Sequence, residues 1–166
     1  METIIHAKNI DKKVRLALYG MLHHSATKLF PRRMKYVSIK LHLKHYVYDG
    51  VAMIEEDTKI TNPRNFKIII DPYRLKKDDW GRERNYSEWV SELLRALAHE
   101  MVHVKQYIMS ELTFKKGQMC WKKQKVDFKS EDDYYRSPHE VEAYGLEKWL
   151  QLGYTATWNK IEEKNG

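Results

Sequence analysis

At 166 residues the chain has length for one domain, and 42% apolar residues suffice for its core, so two large domains are excluded. A balance of 30 Lys and Arg against 23 Asp and Glu gives a net charge of +7, which invites a nucleic-acid or other anionic partner before any motif is read. The single cysteine, Cys120, excludes an intrachain disulfide and a cysteine-based zinc ribbon, leaving packing, or packing with a metal, to hold the fold.

Residues 9–30 place Val14, Leu16, Leu18, Tyr19, Met21, Leu22 and Leu29 at helical spacing, and Pro31 stops the run, which predicts a helix. Over 36–48 the sequence alternates, with Val37, Ile39, Leu41 and Leu43 on one face and Ser38, Lys40, His42 and Lys44 on the other, the pattern of a half-buried strand. Asp49-Gly50 is a turn signal, so 51–55 is expected to pair back as a second strand. Asn62-Pro63 marks another turn before a short β-rich strand over 66–70, ended by Asp71-Pro72.

A polar loop over 76–84 leads to the longest helix, 85–109, opened by a capping-box pair of Asn85 and Glu88. Residues 114–128, with Gly117 and many lysines, suit a hairpin or ordered loop. Ser137-Pro138 starts a last helix running to 152. No repeat, low-complexity tract or linker interrupts this order, so residues 1–166 are expected to form one α+β domain. No apolar run reaches about 18 residues and no signal-peptide core is evident, so no membrane contact and a reducing, cytoplasmic setting are expected.

Within the long helix stands His99-Glu100-Met101-Val102-His103. Histidines four apart project from one helical face, about 6 Å apart at Cβ, and can grip one metal ion while Glu100 points to its water. Trp89, Val90, Leu93, Leu94, Leu97, Met101, Val102 and Val104 cover most of the helix, whereas Arg95, His99, His103 and Gln106 form one polar stripe. Buried, that stripe needs partners; exposed, it would be an ordinary solvated face. Zn2+ suits two nitrogen ligands with a third protein ligand and an open position for water.

Downstream, Ser137-Pro138-His139-Glu140-Val141-Glu142-Ala143-Tyr144 offers Glu140, then Glu142, then His139 as the third ligand. Glu140 also fits a capping box with Ser137. Here the chain resembles the gluzincin-type zinc metallopeptidases, in which a second helix carries a glutamate ligand followed by a small residue that lets the helices approach. It is most similar to small HExxH peptidases, many phage-encoded, that pair HExxHVxQ (His99 to Gln106) with P-x-E-x-E-A-Y (Pro138 to Tyr144). SprT-like proteases are a more distant alternative. The resemblance spans residues 85–152 and implies a compact zincin-like domain: an N-terminal helix, a small mixed sheet, the HExxH helix and a C-terminal helix bearing the glutamate. It assigns His99, His103 and Glu140 to zinc, Glu100 to general-base duty, and Tyr134 or Tyr135 to oxyanion stabilisation in hydrolysis of a protein or peptide substrate. Tyr144 stands where several relatives have Asp, which leaves the histidines' hydrogen-bond partner open among Asp71, Asp127 and Asp133. By the same analogy the 66–70 strand would receive an extended substrate as an added strand.

Trp121 is expected in the cleft or in hairpin packing, and Cys120 as a buried thiol. His23, His24, His42 and His45 lack metal spacing. A different class of function remains: a basic nucleic-acid-binding module with structural zinc or none, using Arg32-Arg33-Lys35, Arg74-Lys76-Lys77, Lys115-Lys116 and Lys122-Lys123-Lys125 on phosphates. Glu100 discriminates, since a structural site has no use for a carboxylate beside its first histidine.

Overall fold

The apolar stretches meet in one core, where the first two long helices pack on a four-stranded sheet and the last long helix packs on those two helices. The computed structural model describes residues 1–55, 62–115 and 117–165, with side chains described as far as residue 158. Strand β1 (Glu2–Ala7) enters helix α1 (Lys12–Leu29), followed by β2 (Ser38–Leu43), β3 (Gly50–Ile54) and β4 (Asn65–Ile70). Helix α2 (Tyr86–Ile108), a small sheet of β5 (Leu112–Lys115), β6 (Gln118–Trp121) and β7 (Gln124–Lys125), a short helix α3 (Glu131–Tyr135) and the long α4 (Pro138–Asn165) complete the chain. The fold is α+β, as the order of elements implies.

The main sheet has the order β1-β2-β4-β3, with β1, β2 and β4 parallel and β3 antiparallel to β4. Parallel neighbours need a crossover, and α1 supplies the one from β1 to β2. Asp11 starts α1 by accepting from the Val14 N–H at 2.9 Å. Leu18, Met21, Leu22 and Ala26 of α1 then meet Ile39, Leu41, Phe66, Ile68 and Ile70 of the sheet and Leu93, Leu97 and Met101 of α2 in one core. Each fully buried Leu, Ile or Phe contributes about 1.5–3 kcal/mol, so this cluster is the main source of stability.

Three expectations change. First, β1 is a strand that the sequence does not announce: at the sheet edge it buries only Ile5, and one apolar position leaves no alternation to read. Second, β3 does not pair back on β2. Ile68, Ile69 and Ile70 are buried on both faces of the sheet, which gives β4 an interior place between β2 and β3. The connection over 44–49 crosses the end of β4, pinned by buried Asp71, whose carboxylate accepts the N–H groups of Tyr46, Tyr73 and Arg74. The 66–70 strand therefore has no open edge for a substrate; β3 holds the edge position instead. Third, α4 does not end at 152 as expected but continues through Gly153 to Asn165. A Cβ on Gly153 would lie 3.2 Å from His24 Nε2, so this glycine serves a close crossing with α1 and not a chain reversal.

The expected capping box is present, with Glu88 N–H to Asn85 Oδ1 at 3.0 Å and Asn85 N–H to Glu88 Oε2 at 2.9 Å. The 114–128 region forms the antiparallel β5-β6-β7 sheet, with Phe114 opposite Met119. Cys120 is buried and unbridged, and Trp121 packs beside His139 under Lys122 rather than in the cleft. No described helix is long and apolar enough to cross a membrane.

Candidate metal centre

Helix α2 packs most extensively on α4, and Ala143, fully buried, is the small residue at their contact. The polar stripe of α2 points into this contact and not to solvent. His99 Nε2 and His103 Nε2 lie 3.1 Å apart, and Glu140 completes the group, with Oε2 3.2 Å from His99 Nε2 and Oε1 3.4 Å from His103 Nε2. One ligand atom from each of the three residues falls within 4.8 Å of the others, an arrangement able to hold a metal ion.

The other ring nitrogens define the tautomers. His99 Nδ1 lies 2.9 Å from Glu147 Oε2, and His103 Nδ1 lies 2.9 Å from Gln106 Oε1. The Gln106 amide is oriented by its Nε2, which donates to the His139 carbonyl at 2.8 Å and to Glu142 Oε2 at 3.0 Å. Both imidazoles thus donate from Nδ1 and turn Nε2 toward each other and toward a carboxylate. Two lone pairs at 3.1 Å repel unless a cation or proton sits between them. Glu100 Oε2 and Glu140 Oε1 are also buried without a hydrogen-bond partner, and each such atom costs about 1–3 kcal/mol if nothing compensates it. The donor set, two imidazole nitrogens and a carboxylate with an open side, fits a catalytic zinc or a similar divalent ion.

Glu100 is pressed against β3. A Cβ on Gly50 would fall 2.7 Å from Glu100 Oε1, so only glycine leaves room for the carboxylate at that point. The Ala52 N–H donates to Glu100, fixing one end while Oε2 stays free. Burial, aided by the charge of Glu140, raises the Glu100 pKa above the ordinary carboxylate range against the pull of both histidines. Burial opposes a charge on Glu140 too, but His103 and His99 beside it hold its carboxyl well below that range. His99 is discouraged from charging by burial, yet Glu140 and Glu147 on its two nitrogens overcome this and push it up to about 9.

A pH dependence follows for metal-free protein. Since the folded His99 pKa of about 9 lies above its ordinary 6.5, its stabilisation is complete below pH 6.5 and disappears as pH rises through 9. Chelator-treated protein should therefore melt at progressively lower temperature from pH 6.5 to 9. Zinc-loaded protein should show the opposite trend or none, because ligand imidazoles must be deprotonated. Thermal melts at three pH values with and without chelator measure both, and a flat chelated series contradicts the coupling.

Of the other third-ligand candidates, Glu142 is turned away to Lys105 Nζ at 2.8 Å and to Gln106. His139 pairs through Nδ1 with Ser137 Oγ at 3.0 Å, while its Nε2 is unpartnered 3.6 Å from Glu140 Oε1. Glu140 directs its carboxylate at the histidines, so the capping-box alternative with Ser137 does not describe it. Tyr134 donates its hydroxyl to Glu140, and burial together with that carboxylate raises its pKa. Half-exposed Tyr135 lines the same cleft, its ring 6.3 Å from Tyr144. Tyr144 itself stands edge-on to His99 at 4.7 Å.

The aspartates proposed as histidine partners are engaged elsewhere: Asp71 with the 44–49 connection, Asp127 with Gln118, and Asp133 with the Lys129 N–H. Glu147 takes the role instead. It lies seven residues after Glu140, two helical turns along the same face of α4, and that spacing was the signal available in the sequence. Arg95 Nη1 holds its second oxygen at 2.7 Å and is itself held by Glu92 at 2.7 Å, which extends the stripe one turn toward the helix start. Of the basic clusters, Arg33 donates to the Ile108 carbonyl, Arg74 stands on the cleft wall paired to Asp49, and Lys116 lies outside the described residues. His42 and His45 stack on His6 and Tyr73, away from the centre.

No family model, curated protein or solved structure matches the chain.

Proposed function

We propose that the protein is a zinc metallopeptidase in which His99, His103 and Glu140 hold the ion and Glu100 is the general base. The observation that carries this reading is Glu100 itself: a buried carboxylate with one oxygen tied to the Ala52 N–H and the other unpartnered, beside the His-His-Glu group in an open cleft of about 920 Å3. A purely structural site gains nothing from such a group, whose isolation in a buried setting is costly. Zinc, when bound, supplies Lewis acidity to a water and to the peptide carbonyl.

The chain's own groups account for the proton traffic. Burial raises the Glu100 pKa above the ordinary carboxylate range, which makes it a stronger base toward a water proton that it can return to the departing amine. Glu147 and Gln106 keep both imidazoles in the Nδ1–H tautomer, so that Nε2 faces the ion. Tyr134 orients Glu140, and Tyr135, which lines the same cleft, is the hydroxyl assigned to the developing oxyanion. The test is hydrolysis of an unfolded protein such as casein by protein of known zinc content, its loss on chelation and its return with zinc. Protein carrying one zinc per chain that leaves casein and a mixed peptide library intact contradicts the proposal.

A further inference from the structure

The cleft is chemically lopsided, and the polarity of β3 says which part of a peptide meets which end. Glu55 N–H donates to the Asn65 carbonyl and Asp71 N–H to the Asp49 carbonyl, so odd-numbered residues of β3 and its flanks address β4. The even-numbered Gly50, Ala52 and Ile54 turn their N–H and C=O groups to the open edge, where the Ala52 N–H already serves Glu100. Gly50 lies against Glu100, whereas Ile54 pairs with Phe66, whose ring is 6.3 Å from Tyr107. Strand β3 thus runs from the Glu100 end of the cleft toward the end of α2. An extended peptide added antiparallel, the more favourable pairing, runs the other way and presents its N-terminal part to the Tyr107 end.

That end is apolar. Tyr107, one turn beyond His103, forms its floor, Phe114 lies over it at 6.5 Å, and Leu112, Met119 and Ile54 close the sides. Phe114 is 42% exposed although it stacks on buried Tyr107 and pairs with half-buried Met119, and it lines the cleft. At the opposite end the wall is charged, with Arg74 paired to Asp49 and Arg95 paired to Glu147. We infer that Tyr107, Phe114 and Met119 form a subsite for a bulky apolar side chain on the N-terminal side of the scissile bond, making the protein selective for peptides rich in Phe, Leu or Met there. This deepens the peptidase reading and rests on it.

The experiment is a degenerate peptide library digested by the zinc-loaded protein, with cut sites mapped by mass spectrometry, and with Phe114→Ala and Phe114→Asp assayed in parallel. Bulky apolar residues should be favoured over Ala within two positions before the cut by about 10–100-fold in kcat/KM. Phe114→Ala should compress that ratio, and Phe114→Asp should shift the preference toward Lys and Arg, whereas mere loss of folding lowers every substrate alike. Cleavage without an N-terminal-side apolar preference, or with the preference after the cut, overturns the subsite and leaves the peptidase standing. If nothing is cut, fluorescence titration of the zinc-loaded protein with Phe-rich and Ala-rich peptides separates the cases. Tighter binding of the Phe-rich peptide, weakened by Phe114→Asp, keeps the subsite and removes the peptidase reading; equal or absent binding removes both.

Discussion

Replacing Glu100 by Gln should leave one zinc per chain and a melting temperature no lower than that of the parent, while kcat for peptide hydrolysis falls by about 10²–10⁴-fold, the usual worth of a positioned general base. The amide fills the same volume against Gly50, where a carboxylate oxygen lies so close that no Cβ is tolerated, and its carbonyl can still accept the Ala52 N–H. What is lost is the charge. In the parent that charge is opposed by burial and by Glu140, so a neutral isostere removes a burdened group rather than a supporting one. The amide cannot take a proton from water, and the two carboxylates nearest the histidines are already engaged: Glu140 with both histidines, and Glu147 with His99 and Arg95. Zinc by elemental analysis, melting by circular dichroism and steady-state rates on one fluorogenic peptide give the three readouts. Undiminished turnover in the zinc-loaded Glu100→Gln protein would remove Glu100 from the mechanism. Loss of zinc would show that it supports the ion directly.

How far the sequence announced this site depended on whether a residue's partner lay on the same element. His99, Glu100 and His103 share one helix, and a helix has a fixed pitch, so their common face is readable from spacing alone. The same holds for the capping box at Asn85 and Glu88. Glu140 was readable because the resemblance supplied a second helix at the right distance along the chain. Glu147 is hidden by its chemistry: the resemblance implies an aspartate partner for the histidine, which points to Asp71, Asp127 and Asp133 instead. Each of those three closes a local turn or pairs within its own loop, which aspartate does readily through its short side chain.

Strand order was the least accessible part. The alternation of β2 and the isoleucine run of β4 predict strands, but nothing within 51–55 tells which neighbour β3 takes. That choice follows from the burial of β4 on both faces and from Asp71, which caps its own turn at Tyr73 and Arg74 while holding the N–H of Tyr46, 25 residues earlier in the chain. It matters for function, since it transfers the open edge, and with it the Ala52 N–H and the cleft rim, from the 66–70 strand to β3.

The sharpest division between the two glutamates of α4 is expected in metal retention. Glu140→Ala should lose zinc during dialysis that leaves the parent stoichiometric, because on the proposed reading it removes one of three protein ligands and the only carboxylate among them. Glu142→Ala should keep zinc, with affinity reduced by no more than about tenfold, since Glu142 reaches the ion only at second hand, through the Gln106 amide that orients His103. Its bond to Lys105 is partly exposed, and such a pair contributes at most about 1 kcal/mol. The same ion would join α2 to α4, so its removal should also lower stability. Zinc at about a thousand times its dissociation constant stabilises by about 4 kcal/mol. For a chain of this size that corresponds to a melting shift of roughly 10 °C between zinc-loaded and chelated parent protein. Glu142→Ala should retain most of that shift, and Glu140→Ala should show almost none while remaining folded by circular dichroism. Retention of both stoichiometric zinc and the full shift by Glu140→Ala would transfer the third position to another residue, and His139, whose unpartnered Nε2 lies 3.6 Å from Glu140, would be the next to replace.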